Sequence, residues 1–248
     1  MEEVLVFQHD PLEDLGFFVE VFEKEKAAFR LIRMFHGELP PEEWDQVSAL
    51  LFLGGAMSAR EEERYPFLRW EKTIIRAAVE DEVPVFGIGL GAQLVASALG
   101  AEIYRGNLKE VGWYPVLLNA HGQVDSLLGH LPEKPMVFGW HEDCFDLPSG
   151  ALRLASSINF ENQAFRVGKN IYGLQFHLEV TPQMIDRRLD ARAKELARIP
   201  YVSPDKVRAD THSYSPALRY YGERILSGFI RRSNRAKPRK CEEIESKL

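Results

Sequence analysis

The segment Pro84–Leu99, PVFGIGLGAQLVASAL, constrains the fold of this chain more than any other. An apolar strand candidate, Pro84–Ile88, runs without a loop into Gly87-Ile88-Gly89-Leu90-Gly91 and then into an apolar helix, Ala92–Leu99. So abrupt a turn needs glycine, which tolerates backbone angles and close approaches that other residues do not. A helix that is apolar all round must be covered by further elements. Strand, tight turn and helix in this order point to an α/β fold.

The flanking segments agree. Val4–Gln8, Ala28–Met34 and Ala49–Leu53 read as strands, and the last ends in Gly54-Gly55. Uninterrupted apolar strands suit a parallel sheet covered on both faces. Leu12–Lys26 reads as a helix with Leu15, Phe18, Val19 and Phe22 on one face, and Phe67–Glu80 as another. After Gly100, short strand candidates follow closely: Glu102–Tyr104, Trp113–Leu118, Met136–Phe138, Leu152–Ala155, Ala164–Val167 and Ile171–Phe176. Helices are expected over Pro182–Ala197, near Asp205–Thr211 and over Pro216–Ile230. The expected architecture is one α/β domain over residues 1–230, with a mostly parallel central sheet flanked by helices, then a charged tail, 231–248. That tail, with Arg231, Arg232, Arg235, Lys237, Arg239 and Lys240, reads as a solvated terminus rather than a binding arm.

With 45% hydrophobic and 27% charged residues, the composition excludes a disordered chain or a disulfide scaffold. A net charge of −6 argues against nucleic acid as the main partner. No apolar run approaches the roughly 18 residues of a membrane helix. The acidic start MEEVLVFQHD is unlike a signal peptide, so a cytoplasmic location is expected. Cys144 and Cys241 form no CxxC pair, and neither a metal nor an organic cofactor is expected.

In such sheets, ligands bind beyond the carboxyl ends of the strands. Three segments lie there: Gly54-Gly55, Gly87–Gly91 and Phe176–Val180. The glycine turn satisfies the dinucleotide pattern G-x-G-x-x-G/A, but about three strands precede it, and neither Glu102 nor Glu110 ends the next strand. It also has the spacing of a nucleophile elbow, G-x-S-x-G, with Gly89 at the nucleophile's place. Glycine cannot attack anything, so by itself the segment is equally a plain tight turn.

Gly87-Ile88-Gly89-Leu90-Gly91-Ala92-Gln93 closely resembles the elbow of class I glutamine amidotransferases, whose central residue is a cysteine. Gly173-Leu174-Gln175-Phe176-His177-Leu178-Glu179 resembles the same family's His-x-Glu segment. Lys109–Trp113, Trp140–Pro148 and Gln163–Val167 resemble the subgroup related to the amidotransferase domain of GMP synthase. The resemblance covers about residues 4–230 and implies a flavodoxin-like fold.

By this resemblance, His177 is the base and Glu179 its orienting partner. Gly89 stands at the nucleophile position, and the N–H groups of Gly55 and Leu90 form the oxyanion hole. Gln93, His141 and Asp143 bind substrate. Taken alone, His177-x-Glu179 reads as an incidental polar pair, and the His141–Asp143 segment as a hydrogen-bonded turn. The implied reaction is hydrolysis of glutamine or a γ-glutamyl amide, with ammonia released or passed on. Either a separate synthetase subunit uses the ammonia, or the protein is a stand-alone hydrolase. Ala56 replaces a proline frequent in relatives. Gly89 is the serious departure: catalysis is expected to be lost or severely impaired, and a non-catalytic module that binds a ligand or docks on a partner is the alternative. The sequence leaves open a natural pseudoenzyme or an active protein altered at one position. Cys144 is the only other cysteine in the matched region. It reads as a buried small side chain, since a migrated nucleophile would have to meet base and oxyanion donors together.

Overall fold

A computed structural model gives the structure of the chain and describes residues 2–233 apart from 42, 43 and 45. β1 (Glu3–Gln8) alternates its side chains between two cores. Val4 and Val6 face α1 (Phe18–Glu25), while Leu5 and Phe7 face the opposite core. β2 (Ala28–Arg33), β3 (Val47–Phe52) and, after α2 (Phe67–Glu80), β4 (Val85–Ile88) complete the expected parallel unit. β4 passes into α3 (Leu90–Ala98), which is followed by β5 (Ile103–Pro115), β6 (Leu117–Leu118), α4 (Ala120–Gln123) and β7 (Met136–Phe145). β8 (Leu152–Ser156), β9 (Ala164–Val167) and β10 (Ile171–Leu174) lead to α5 (Pro182–Ala191), α6 (Ala193–Leu196) and α7 (Pro204–Ser233).

The main sheet has the order β2-β1-β3-β4-β10-β9-β8-β6. From β2 to β10 every pairing is parallel, and beyond β10 every pairing is antiparallel. The fold is therefore α/β with a mostly parallel sheet flanked by helices. β5 and β7 form a separate antiparallel ribbon. Fully burying one large apolar side chain is worth about 1.5–3 kcal/mol, so a sheet with Phe7, Phe52, Phe86 and Phe165 in its interior is stable only when covered on both faces.

Several expectations are corrected. The helix expected from Leu12 begins at Phe18. Asp10 Oδ1 accepts from the N–H of Leu12 and Asp14 Oδ1 from that of Gly16, both at 2.8 Å, so two side-chain turns hold this stretch open. The strand expected at Glu102–Tyr104 and the first half of that expected at Trp113–Leu118 are one strand, β5, with an irregularity between Arg105 and Glu110, whereas Leu117–Leu118 is the separate β6 of the main sheet. The strand starting at Met136 extends to Phe145, so His141–Asp143 is strand rather than turn. The helix expected over 182–197 divides at Arg192 (φ −103°, ψ 12°). The two final helices are one, with Pro216 inside. Packing of Val207 and Thr211 before the proline, and of Leu218, Ile225 and Phe229 after it, outweighs its penalty of about 3 kcal/mol. Of the basic tail, Arg231 bonds Glu25 and Arg232 bonds Ser126 within the folded helix; the rest lies outside the described residues.

Candidate active site

The carboxyl ends of β1, β3, β4 and β10 meet at a cleft of about 250 Å³, which β7 and α5 complete. Gly89 is its pivot. Its N–H is held by Leu174 O at 2.8 Å, and its backbone adopts φ +56°, ψ −114°, where a side chain is strained. The neighbouring glycines serve close packing. A Cβ on Gly91 would fall 2.1 Å from Phe52 O, and one on Gly87 2.4 Å from Gly91 O. A Cβ on Gly89 would point at the imidazole of His177, 3.2 Å from Cε1 and 3.3 Å from Nε2.

His177 is fixed from behind. Its N–H bonds Phe138 O on β7 at 2.8 Å, and Nδ1 lies 2.6 Å from Glu179 Oε1. Burial alone would raise the pKa of Glu179, but the adjoining His177 outweighs it, and the carboxyl is held below its usual range. A carboxylate only accepts, so Nδ1 carries a proton, and Nε2 faces position 89. The segment 175–180 is bent rather than a continuous strand, yet the two side chains still meet.

Gly55 follows β3, and a Cβ there would strike Leu90 Cδ2 at 2.5 Å. Among the described residues, the N–H groups of Gly55 and Leu90 have no hydrogen-bond partner. Leu90 begins α3, so its N–H lies at the positive end of that helix. Gln93, one turn on, donates to Gln175 Oε1 at 3.2 Å and to Asp143 O at 3.3 Å. Asp143 lines the cleft, where its carboxylate is held by Ser58 and Arg60. His141 also lines it, but both ring nitrogens are engaged, with Glu110 Oε2 and Asp143 O at 3.1 Å each.

Cys144 is outside the cleft lining, its thiol lies 3.5 Å from Tyr104 O, and burial pushes its pKa up. Glu110, the acid nearest to a dinucleotide pattern, is buried in bonds with His141, Asn159 and Gln163. Among the described residues no group of three or more His, Cys, Asp or Glu side chains is arranged to hold a metal. No helix among them is long and apolar enough to cross a membrane.

The sequence reading missed a charged part of the cleft lining. Arg188 Nη2 donates to Glu13 Oε1 at 2.9 Å, and Arg192 Nη2 to Asp10 Oδ2 at 3.4 Å. Glu13 lies in the stretch expected to be helical. The available signal was Arg188, which shares the buried face of α5 with Met184, Ile185 and Leu189.

A family model described as glutamine amidotransferase class-I matches residues 8–192. The glutamine amidotransferase-like protein YfeJ of Salmonella typhimurium is 32% identical over 192 residues, 76% of this chain and 80% of YfeJ. One subunit of the glutamine-hydrolysing GMP synthase of Natronomonas pharaonis is 29% identical over 175 residues, 70% of this chain and 80% of that protein. The crystal structure of a glutamine amidotransferase from Thermotoga maritima superposes with a TM-score of 0.85 at 34% identity, covering 92% of this chain and 98% of that one. The chain belongs to the class I glutamine amidotransferase family.

Proposed function

We propose that the cleft binds glutamine or a γ-glutamyl amide and that Gly89 stands where the nucleophile of an active relative would be. The observation that carries this reading is the approach of position 89 to the imidazole of His177, with Glu179 behind it. With a thiol at that position, its proton would pass to His177 Nε2 and the thiolate would attack the amide carbon. The oxyanion would face the N–H groups of Gly55 and Leu90. On collapse the C–N bond breaks, His177 returns the proton to nitrogen, and the amine leaves. Water then cleaves the thioester, releasing glutamate and restoring the thiol. Glu179 supports the imidazolium formed between these steps. Gln93 and Asp143 hold the glutamyl group, while His141, with both nitrogens engaged, keeps Asp143 and Glu110 in place.

Without a thiol, the chain as written forms no thioester and keeps at most a residual rate over water from binding and oxyanion stabilisation. The test compares ammonia or amine release by the chain, its Gly89→Cys variant, and that variant with His177→Ala added. Turnover is expected only in the single variant, with the second change lowering it by at least about 10²-fold. A folded Gly89→Cys protein inert on glutamine and γ-glutamyl amides alike would contradict the proposal.

The second reading is a non-catalytic binding module. The buried Gln93–Gln175 bond and the open cleft around Gly89 favour it, since they serve binding with or without chemistry. Saturable glutamine binding, with no turnover even after Gly89→Cys, would select it. Where ammonia is passed on, a separate synthetase protein is the expected partner, a reading that the match to one subunit of a GMP synthase supports.

A further inference from the structure

Of the buried histidines, His141 and His177 line the cleft, whereas His9, just after β1, is outside its lining. The His9 side chain is fully buried. Its Nε2 lies 3.0 Å from Glu71 Oε1 on α2, and its Nδ1 lies 3.1 Å from Gly54 O, just beyond β3. A carbonyl oxygen only accepts, so Nδ1 carries a proton and donates to it. The Glu71 carboxylate accepts from Nε2, so the ring holds a second proton. Burial opposes that charge, but the carboxylates of Glu71 and, less strongly, Glu13 favour it, and the net shift of the ring's pKa is upward. A tie between α2 and β1 alone would need one proton and no carbonyl.

The carbonyl that His9 holds belongs to the peptide that supplies the Gly55 N–H. A peptide between two glycines turns over at little steric cost, because neither residue restricts its own backbone angles. Among the described residues, the bond from His9 is the only hydrogen bond this peptide makes. The peptide is trans, so its C=O and N–H point in opposite directions. A donor held at the carbonyl therefore fixes the N–H on the other side, and Gly55 lines the cleft with Gly89 and Leu90. Turned over, the peptide would set its N–H against that of His9 and present its carbonyl to the developing oxyanion. A bond accepted at the carbonyl also polarises the peptide and strengthens its N–H as a donor. The Leu90 N–H needs no such device, because α3 fixes its direction.

Resting on the function proposed above, we infer that His9, held by Glu71, is a positioning residue that keeps the Gly54–Gly55 peptide turned with its N–H toward the oxyanion. It touches no substrate, and its effect falls on the transition state rather than on binding. The test adds two double changes to the Gly89→Cys protein: His9→Asn/Glu71→Met and His9→Leu/Glu71→Met. Both remove the buried pair together, so neither leaves a charge without its partner. Asparagine keeps an N–H donor near the place of Nδ1, and leucine, of similar size, does not. With glutamine, the leucine form is expected to lose at least about tenfold in kcat, part of the roughly 10²–10³ that a whole oxyanion donor is worth, with KM within about threefold. The asparagine form is expected to recover kcat to within about threefold of the Gly89→Cys protein. Equal kcat in the two folded double variants, or a loss that falls on KM, would overturn the inference and leave the proposed function standing. If circular dichroism shows either double variant unfolded, nitrogen-15 NMR of the unaltered chain decides. The His9 ring, identified as the signal missing from His9→Gln, is expected to carry a proton on Nδ1 at about pH 7, and a bare Nδ1 would overturn the inference. An inert Gly89→Cys protein would overturn the proposed function and this inference with it.

Discussion

At Gly89 backbone and chemistry make opposite demands. The conformation at φ +56° is open to glycine and strained for other residues by about 1–3 kcal/mol. A Cβ there also meets the His177 ring at 3.2 Å, closer than side chains normally pack. Gly89→Ala is therefore expected to lower unfolding free energy by about 1–3 kcal/mol in urea titrations while adding no activity. Unchanged stability would show that the turn is not strained. A second residue-scale test concerns His9, buried between Gly54 O and Glu71. Burial alone would lower its pKa, but the Glu71 carboxylate outweighs that, and the net shift is upward. A raised folded-state pKa stabilises the fold fully below the unfolded value, about pH 6.5, and that contribution is lost as pH rises through the folded value. Urea midpoints measured against pH are expected to fall across this window in the unaltered chain, and the His9→Gln variant to lack that part of the slope. Identical slopes would remove His9 from the account.

At the scale of elements, the turn between β4 and α3 depends on how closely the helix approaches the sheet. Gly91→Ala would press a methyl against Phe52 O on β3, so a loss of about 1–3 kcal/mol is expected from overpacking, read as a lowered urea midpoint. In α7, Pro216 cannot donate to the carbonyl of His212, and Ser215 Oγ bonds Thr211 O at 2.6 Å just before it. Pro216→Ala is expected to raise stability by about 2 kcal/mol, less than the full helix penalty because proline also restricts the unfolded chain. A drop in stability would mean that packing requires the proline. The same elements show what a sequence can reveal. α2 and β9 coincide with their expected bounds because apolar spacing alone defines them. β5 and β7 run longer than expected because residues such as Arg105, Lys109, Glu142 and Asp143 are polar, and ribbon pairing rather than apolar alternation makes them strands. The late start of α1 turns on side-chain bonds from Asp10 and Asp14, which periodicity does not register.

At the scale of the whole molecule, the sheet's carboxyl edge gathers residues far apart in sequence. The elbow and the His-x-Glu segment were legible because each is local, with its parts a few residues apart. Glu13 and Arg188 were not, because 175 positions separate them and only the assembled fold brings α5 against the loop after β1. The α/β class followed from strand and helix alternation, whereas the antiparallel side of the sheet and the separate ribbon depend on pairings that no local pattern specifies. The central claim is that this edge forms an amidohydrolase site complete except for one sulfur atom. Its most direct test is mass spectrometry of the Gly89→Cys variant mixed with glutamine or γ-glutamylglycine and quenched within one turnover. A γ-glutamyl thioester on the introduced thiol, decaying as glutamate appears, is the predicted result. A folded variant that takes up no acyl group from either compound would contradict it.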